Sequence, residues 1–169
     1  GVVPDISFPA LLPYSEIGES ALEHALPWDK IQSAPHYRFA DIPAFIPQLQ
    51  ADHERRMQNN VEYKVLLERR DWVEALRNRK TLPLNLAKRE QLKDSDDKRL
   101  IDFTNVVRAV KGEKPLKTIA DVDDDAQKRR DAKNPKDDFL LMESANILGD
   151  WIDLQKNNVQ MSASIGVAH

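Results

Sequence analysis

The chain has 169 residues, a mass of 19.4 kDa, a net charge of -3 and a mean hydropathy of -0.59. That length suits one domain with an extension, and such a chain can bury about 70% of the surface it exposes unfolded. Zero cysteines exclude a disulfide framework, a thiolate zinc site and a cysteine nucleophile. The 5 glycines are scattered, which excludes a phosphate-cradling loop.

No apolar run approaches the roughly 18 residues a membrane helix needs. Lys and Arg number 25 against 28 Asp and Glu, so no global field draws the chain to nucleic acid. Residue 1 is Gly1 and no basic-plus-apolar leader follows it, so the sequence is expected to begin inside a longer polypeptide.

Prolines dominate the first stretch: Pro4, Pro9, Pro13, Pro27, Pro35, Pro43 and Pro47 all precede residue 48. Proline interrupts both helices and sheet ladders, so residues 1–40 are expected to form an extended arm. Ile6, Phe8, Leu11, Leu22, Leu26, Trp28, Tyr37 and Phe39 give that arm more apolar anchors than a solvated linker carries.

From residue 41 the period becomes helical. Ile42, Phe45, Ile46, Leu49 and Met57 share a stripe with His53, Asp41 suits an N-cap, and Asn59-Asn60 marks the stop and next start. A second helix is expected over 61–80, with Val65, Leu66, Val73 and Leu76 on one face beside Trp72 and charges on the other. The alternation of Leu82, Leu84 and Leu86 predicts one short edge strand, with a helix from Leu86 to Leu92 as the competing reading.

A third helix is expected over 95–111, striped by Leu100, Phe103, Val106, Val107 and Val110, with Gly112 just past its end. Residues 112–134 read as a polar loop. The fourth helix is expected to start at Asn134-Pro135, to place Leu141, Ala145, Leu148 and Ile152 toward the core, and to end near Asn157. The fold class is therefore mainly α: a four-helix assembly behind a proline-rich arm. The body spans 41–157, and the tail 158–169 is expected to fray.

Reactive constellations are missing. None of the serines, Ser20 and Ser95 among them, sits in a G-x-S-x-G turn. His24, His36, His53 and His169 form no ligand pair, and His53 on an apolar stripe reads as a satisfied core histidine. Asp121, Asp123 and Asp125 open like a calcium loop, but Ala126 and Ala132 stand where glycine and the closing glutamate belong. The basic pairs Arg55-Arg56, Arg69-Arg70, Lys88-Arg89 and Lys128-Arg129-Arg130 are flanked by acids and read as solvated faces. No catalytic, cofactor-binding or metal-binding residue is assigned. Trp28, beside Pro27 in the arm, is expected to plug a pocket, either in this chain's own core or on a neighbouring domain.

Gly1-Val2-Val3-Pro4-Asp5-Ile6 resembles the closing strand of the peptidase domain in carboxy-terminal processing proteases. Ala25-Leu26-Pro27-Trp28-Asp29-Lys30-Ile31 is similar to the A-L-P-W-D-x-I segment of the long, tail-specific branch. Leu84-Asn85-Leu86 with Lys88-Arg89-Glu90, and Gly112-Glu113-Lys114-Pro115, resemble later stretches of that branch in the same order. The resemblance covers residues 1 to about 155. It implies the helical C-terminal region of a periplasmic serine endopeptidase. That enzyme recognises apolar C-terminal ends through a PDZ domain and cuts with a serine–lysine dyad.

Dyad and PDZ domain would both lie upstream of Gly1, so no residue here inherits a catalytic role. The implied partners are the upstream peptidase, PDZ and N-terminal helical domains, polypeptide substrates of the whole enzyme, and an adaptor protein. Nucleic acid and membrane insertion are not expected. A free-standing helical protein-interaction module is the alternative.

Overall fold

The structure, a computed structural model, describes residues 4–11, 18–26, 34 and 42–165, with the backbone alone over 159–165. Trp28, His36, Tyr37, Phe39, Asp41 and His169 lie outside the described residues. Among the described residues the regular structure is helical: five α-helices and two short 3₁₀ turns, with no strand. Residues 4–11 are irregular, and the stretch 18–26 holds one 3₁₀ turn, Glu19–Ala21.

Helix α1 spans Ile42–Gln58 and accommodates Pro47 in its interior. The Pro47 ring removes the amide that would bond the Pro43 carbonyl, so the first turns are the weakest part of α1. Its stripe holds as the spacing predicts: Leu49, His53 and Met57 are buried. Helix α2 spans Val61–Arg77, and Asn60 caps it by accepting a hydrogen bond from the Tyr63 amide at 3.0 Å.

Helix α3, Leu86–Val110, begins well before the expected residue 95. Asn85 caps it through the Lys88 amide. The predicted strand is absent, since Leu82, Leu84 and Leu86 are 55%, 98% and 70% exposed and pair with nothing. Their alternation reflects three surface leucines at the entry to a helix. The competing helical reading from Leu86 is the one that holds.

The far end of α3 closes as its sequence requires. Gly112 adopts φ +70°, its amide bonds the Ala109 carbonyl, and the Glu113 amide bonds the Arg108 carbonyl. This paired closure needs a left-handed residue, which only glycine supplies without strain.

The expected polar loop 112–134 contains a further helix, α4, Ile119–Ala132. Thr118 and Asp121 cap one another's backbone amides, and Val122 alone of its residues is buried. Asn134 then caps a 3₁₀ turn, Pro135–Asp137, and Asp138 caps α5 through the Leu141 amide. Helix α5, Phe139–Ile165, runs past the expected end near Asn157.

The packing is pairwise: α1 lies on α5, α2 on α3, and α3 on α4. Trp72 meets Phe103 edge-on at 5.8 Å, and the Arg99 guanidinium covers the other ring at 4.6 Å. An aromatic chain of Phe8, His53, Tyr63 and Phe139 joins the N-terminal segment to α1, α2 and α5, with centroid spacings of 5.4, 6.2 and 6.4 Å.

Candidate functional site

The α1–α5 seam is charged at its centre. Glu143 is 2% exposed, and His53 beside it is 5% exposed. His53 Nδ1 lies 2.8 Å from Glu143 Oε1. Arg56 donates to the same carboxylate from Nε at 3.0 and 3.2 Å and from Nη2 at 2.8 Å. Its Nη1 reaches Asp150 at 2.5 Å. Asn146 Nδ2 satisfies Glu143 Oε2 at 3.1 Å.

Helical geometry assembles this cluster. His53 and Arg56 are three residues apart on α1, and Glu143, Asn146 and Asp150 follow at three and four on α5, so each set shares a face. Burial pushes the Glu143 carboxyl up, but hydrogen bonds from Arg56, His53 and Asn146 outweigh it and hold the group below its ordinary value. A carboxylate so fully engaged has no lone pair left for a substrate. The cluster is a fastener between two helices. His53 is thus the satisfied core histidine the sequence suggested, and Glu143 is the partner sequence reasoning missed.

A second network ties the α3–α4 corner. Arg108 reaches Asp125 at 2.6 Å and Glu113 at 2.9 Å. Arg129 holds Asp125 at 2.8 Å and also pairs with Glu113. Burial raises the Asp125 carboxyl, and bonds from Arg129 and Arg108 bring it below the ordinary value. Asn105 bonds the Leu116 backbone twice, amide to Oδ1 at 2.7 Å and Nδ2 to carbonyl at 2.9 Å.

These contacts place the acidic run. Asp121, Asp123 and Asp125 sit on a helix, with Asp121 serving as a cap and Asp125 as an ion-pair partner. Among the described residues no group of His, Asp and Glu is arranged to hold a metal. Nor is any helix there long and apolar enough to cross a membrane. Of the serines singled out, Ser20 falls in the 3₁₀ turn and Ser95 within α3.

The expected core stripe of α5 faces the other way. Leu141, Leu148 and Ile152 are 50%, 52% and 39% exposed, and Ala145 between them is exposed too. The half-turn opposite carries Glu143, Asp150 and the half-buried Trp151 and Leu154 toward α1. The stripe's spacing of four, three and four marks a surface built to be covered.

A groove of about 620 Å³ opens where the end of α4 and the start of α5 meet α2. Val65, Leu66, Val107 and Phe139 are among its apolar lining.

The arrangement defines a helical, ion-pair-fastened domain with one apolar helix face uncovered. Residues 12–153 match the family described as C-terminal domain of tail specific protease (DUF3340). The chain is also 32% identical over 155 residues to the "Tail-specific protease" of Haemophilus influenzae. That alignment covers 90% of this chain and 21% of the relative, so the chain spans about a fifth of its relative's length. The chain belongs to the family of tail-specific protease C-terminal domains.

Proposed function

We propose that this chain is the non-catalytic helical C-terminal domain of a periplasmic serine endopeptidase that degrades or processes proteins from their C-terminal ends. Its role is structural. It braces the peptidase and PDZ domains, helps wall the substrate chamber, and offers a surface to an adaptor. In this reading residues 1–40 join it to the peptidase domain, 41–157 form its body, and 158–169 trail from it. No residue here carries the reaction, which belongs to a serine–lysine dyad upstream.

The uncovered stripe of Leu141, Leu148 and Ile152 carries the proposal. An exposed apolar face of this length marks a contact surface. In a chain that spans 21% of its relative, the remainder of the protein is the natural cover. Phe8, set edge-on against His53, supports the joining role of the arm.

The test is complementation. A tail-specific protease truncated before this domain is mixed with the 169-residue chain. Cleavage of a substrate with an apolar C-terminal tail is then followed. Wild-type chain restores cleavage, and Leu148→Lys with Ile152→Lys does not. Peptide hydrolysis by the chain alone, or restoration that ignores both lysines, refutes the reading. Trp28→Ala in the whole enzyme should lower stability or activity with the dyad intact.

A further inference from the structure

The groove between α2, α4 and α5 has a feature that bracing does not use. Its rim carries Arg69, Lys111, Arg129, Arg130 and Lys133 against Glu62, Asp137 and Asp138. All three acids are engaged. Glu62 pairs with Lys111 at 3.0 Å, Asp137 accepts from Arg129 and Asn134, and Asp138 caps α5. Lys111 and Arg129 are thereby neutralised.

Arg69, Arg130 and Lys133 have no carboxylate partner among the described residues. The Arg69 Nε is buried and without any hydrogen-bond acceptor among them. A buried guanidinium donor left unsatisfied is costly, and a carboxylate is the partner whose geometry fits it best. Leu140 and Leu141 edge the same groove and are 36% and 50% exposed, so the cations border an apolar floor.

We propose that this groove binds an acidic, leucine-rich segment of another polypeptide, with the apolar side chains on Val65, Leu66 and Phe139 and the carboxylates on Arg69, Arg130 and Lys133. A volume of about 620 Å³ holds a few side chains of such a segment. The overall charge of -3 works against nucleic acid and anionic lipid, which need a broad positive field. The proposal is independent of the bracing role, since binding is read on the isolated chain without any protease.

Two fluorescein-labelled peptides with both ends blocked test it, one of leucine and glutamate, the other of leucine and glutamine. Fluorescence anisotropy should show the glutamate peptide binding at least about tenfold more tightly, with the difference shrinking as salt rises. Arg69→Gln should remove most of that difference. Arg130→Gln, at an exposed position that leaves folding intact, should remove part of it. Leu141→Ser should weaken both peptides. Equal affinity for the two peptides, or a preference untouched by Arg69→Gln and Arg130→Gln, overturns the proposal. So does binding to phosphatidylglycerol vesicles while both peptides stay unbound.

Discussion

Glu143→Gln isolates the central fastener. The substitution keeps the shape of the side chain and removes its charge, leaving Arg56 and His53 facing a neutral amide. Removing one partner of a buried ion pair costs about 3–5 kcal/mol. Arg56 is 29% exposed and keeps Asp150, which lowers the expected loss to about 2–3 kcal/mol. At about 2–4 °C per kcal/mol for a chain of this size, the melting midpoint should fall by about 4–12 °C. Circular dichroism at 222 nm, a standard helix wavelength unrelated to any property of this chain, records the melt.

Asp71→Asn is the internal control. It breaks the surface pair with Arg70, whose side chains are 40% and 63% exposed, and should shift stability by less than about 0.5 kcal/mol. The pH dependence follows from the lowered Glu143 value. A carboxyl depressed on folding stabilises the fold above its unfolded value of about 4.3, and that contribution disappears as pH falls through the folded value. The gap between wild type and Glu143→Gln should therefore be full at neutral pH and close in acid. Equal melts for Glu143→Gln and Asp71→Asn at neutral pH would refute the assignment of the seam.

Three further outcomes are expected. Asn105→Ala should cost about 1–2 kcal/mol in urea unfolding, because it strands both polar groups of Leu116. Thr118→Ala should cost about 1 kcal/mol and loosen α4 first, seen as faster amide exchange over its opening turn. The triple replacement His53→Leu, Arg56→Met and Glu143→Leu should be neutral or stabilising by about 1–4 kcal/mol, in contrast to Glu143→Gln alone, when melts of the two are compared.

Much of the fold is legible in the residues, and the failures have physical causes. The stripes of α1 and α2, the Asn60 start and the Gly112 stop all rest on local spacing or local backbone geometry, which a sequence carries directly. Helix α4 escapes notice because its support is electrostatic. Val122 is its one buried residue, and the rest is held by a reciprocal cap and by Asp125 between Arg108 and Arg129. Thr118 followed at three by Asp121 is the signal that marks its start. Glu143 is invisible for another reason: its partners His53 and Arg56 lie 90 and 87 residues away, and nothing local marks it.

The inverted orientation of α5 has the deeper cause. Hydrophobic periodicity points Leu141, Leu148 and Ile152 inward, yet they face out, because Glu143 occupies the seam. Rotating α5 by half a turn would bury the leucines against α1 and expose Glu143 to water, leaving His53 and Arg56 in the seam with no carboxylate. Left behind in the interior, those two donors would cost more than an apolar contact returns. The ion pair therefore need add little net stability to fix the rotation of the helix. Its effect is to keep the leucine stripe facing outward, where the remainder of a tail-specific protease can cover it. A periodicity argument made on the isolated chain errs for the same reason, since part of the surface that buries this helix lies outside the chain.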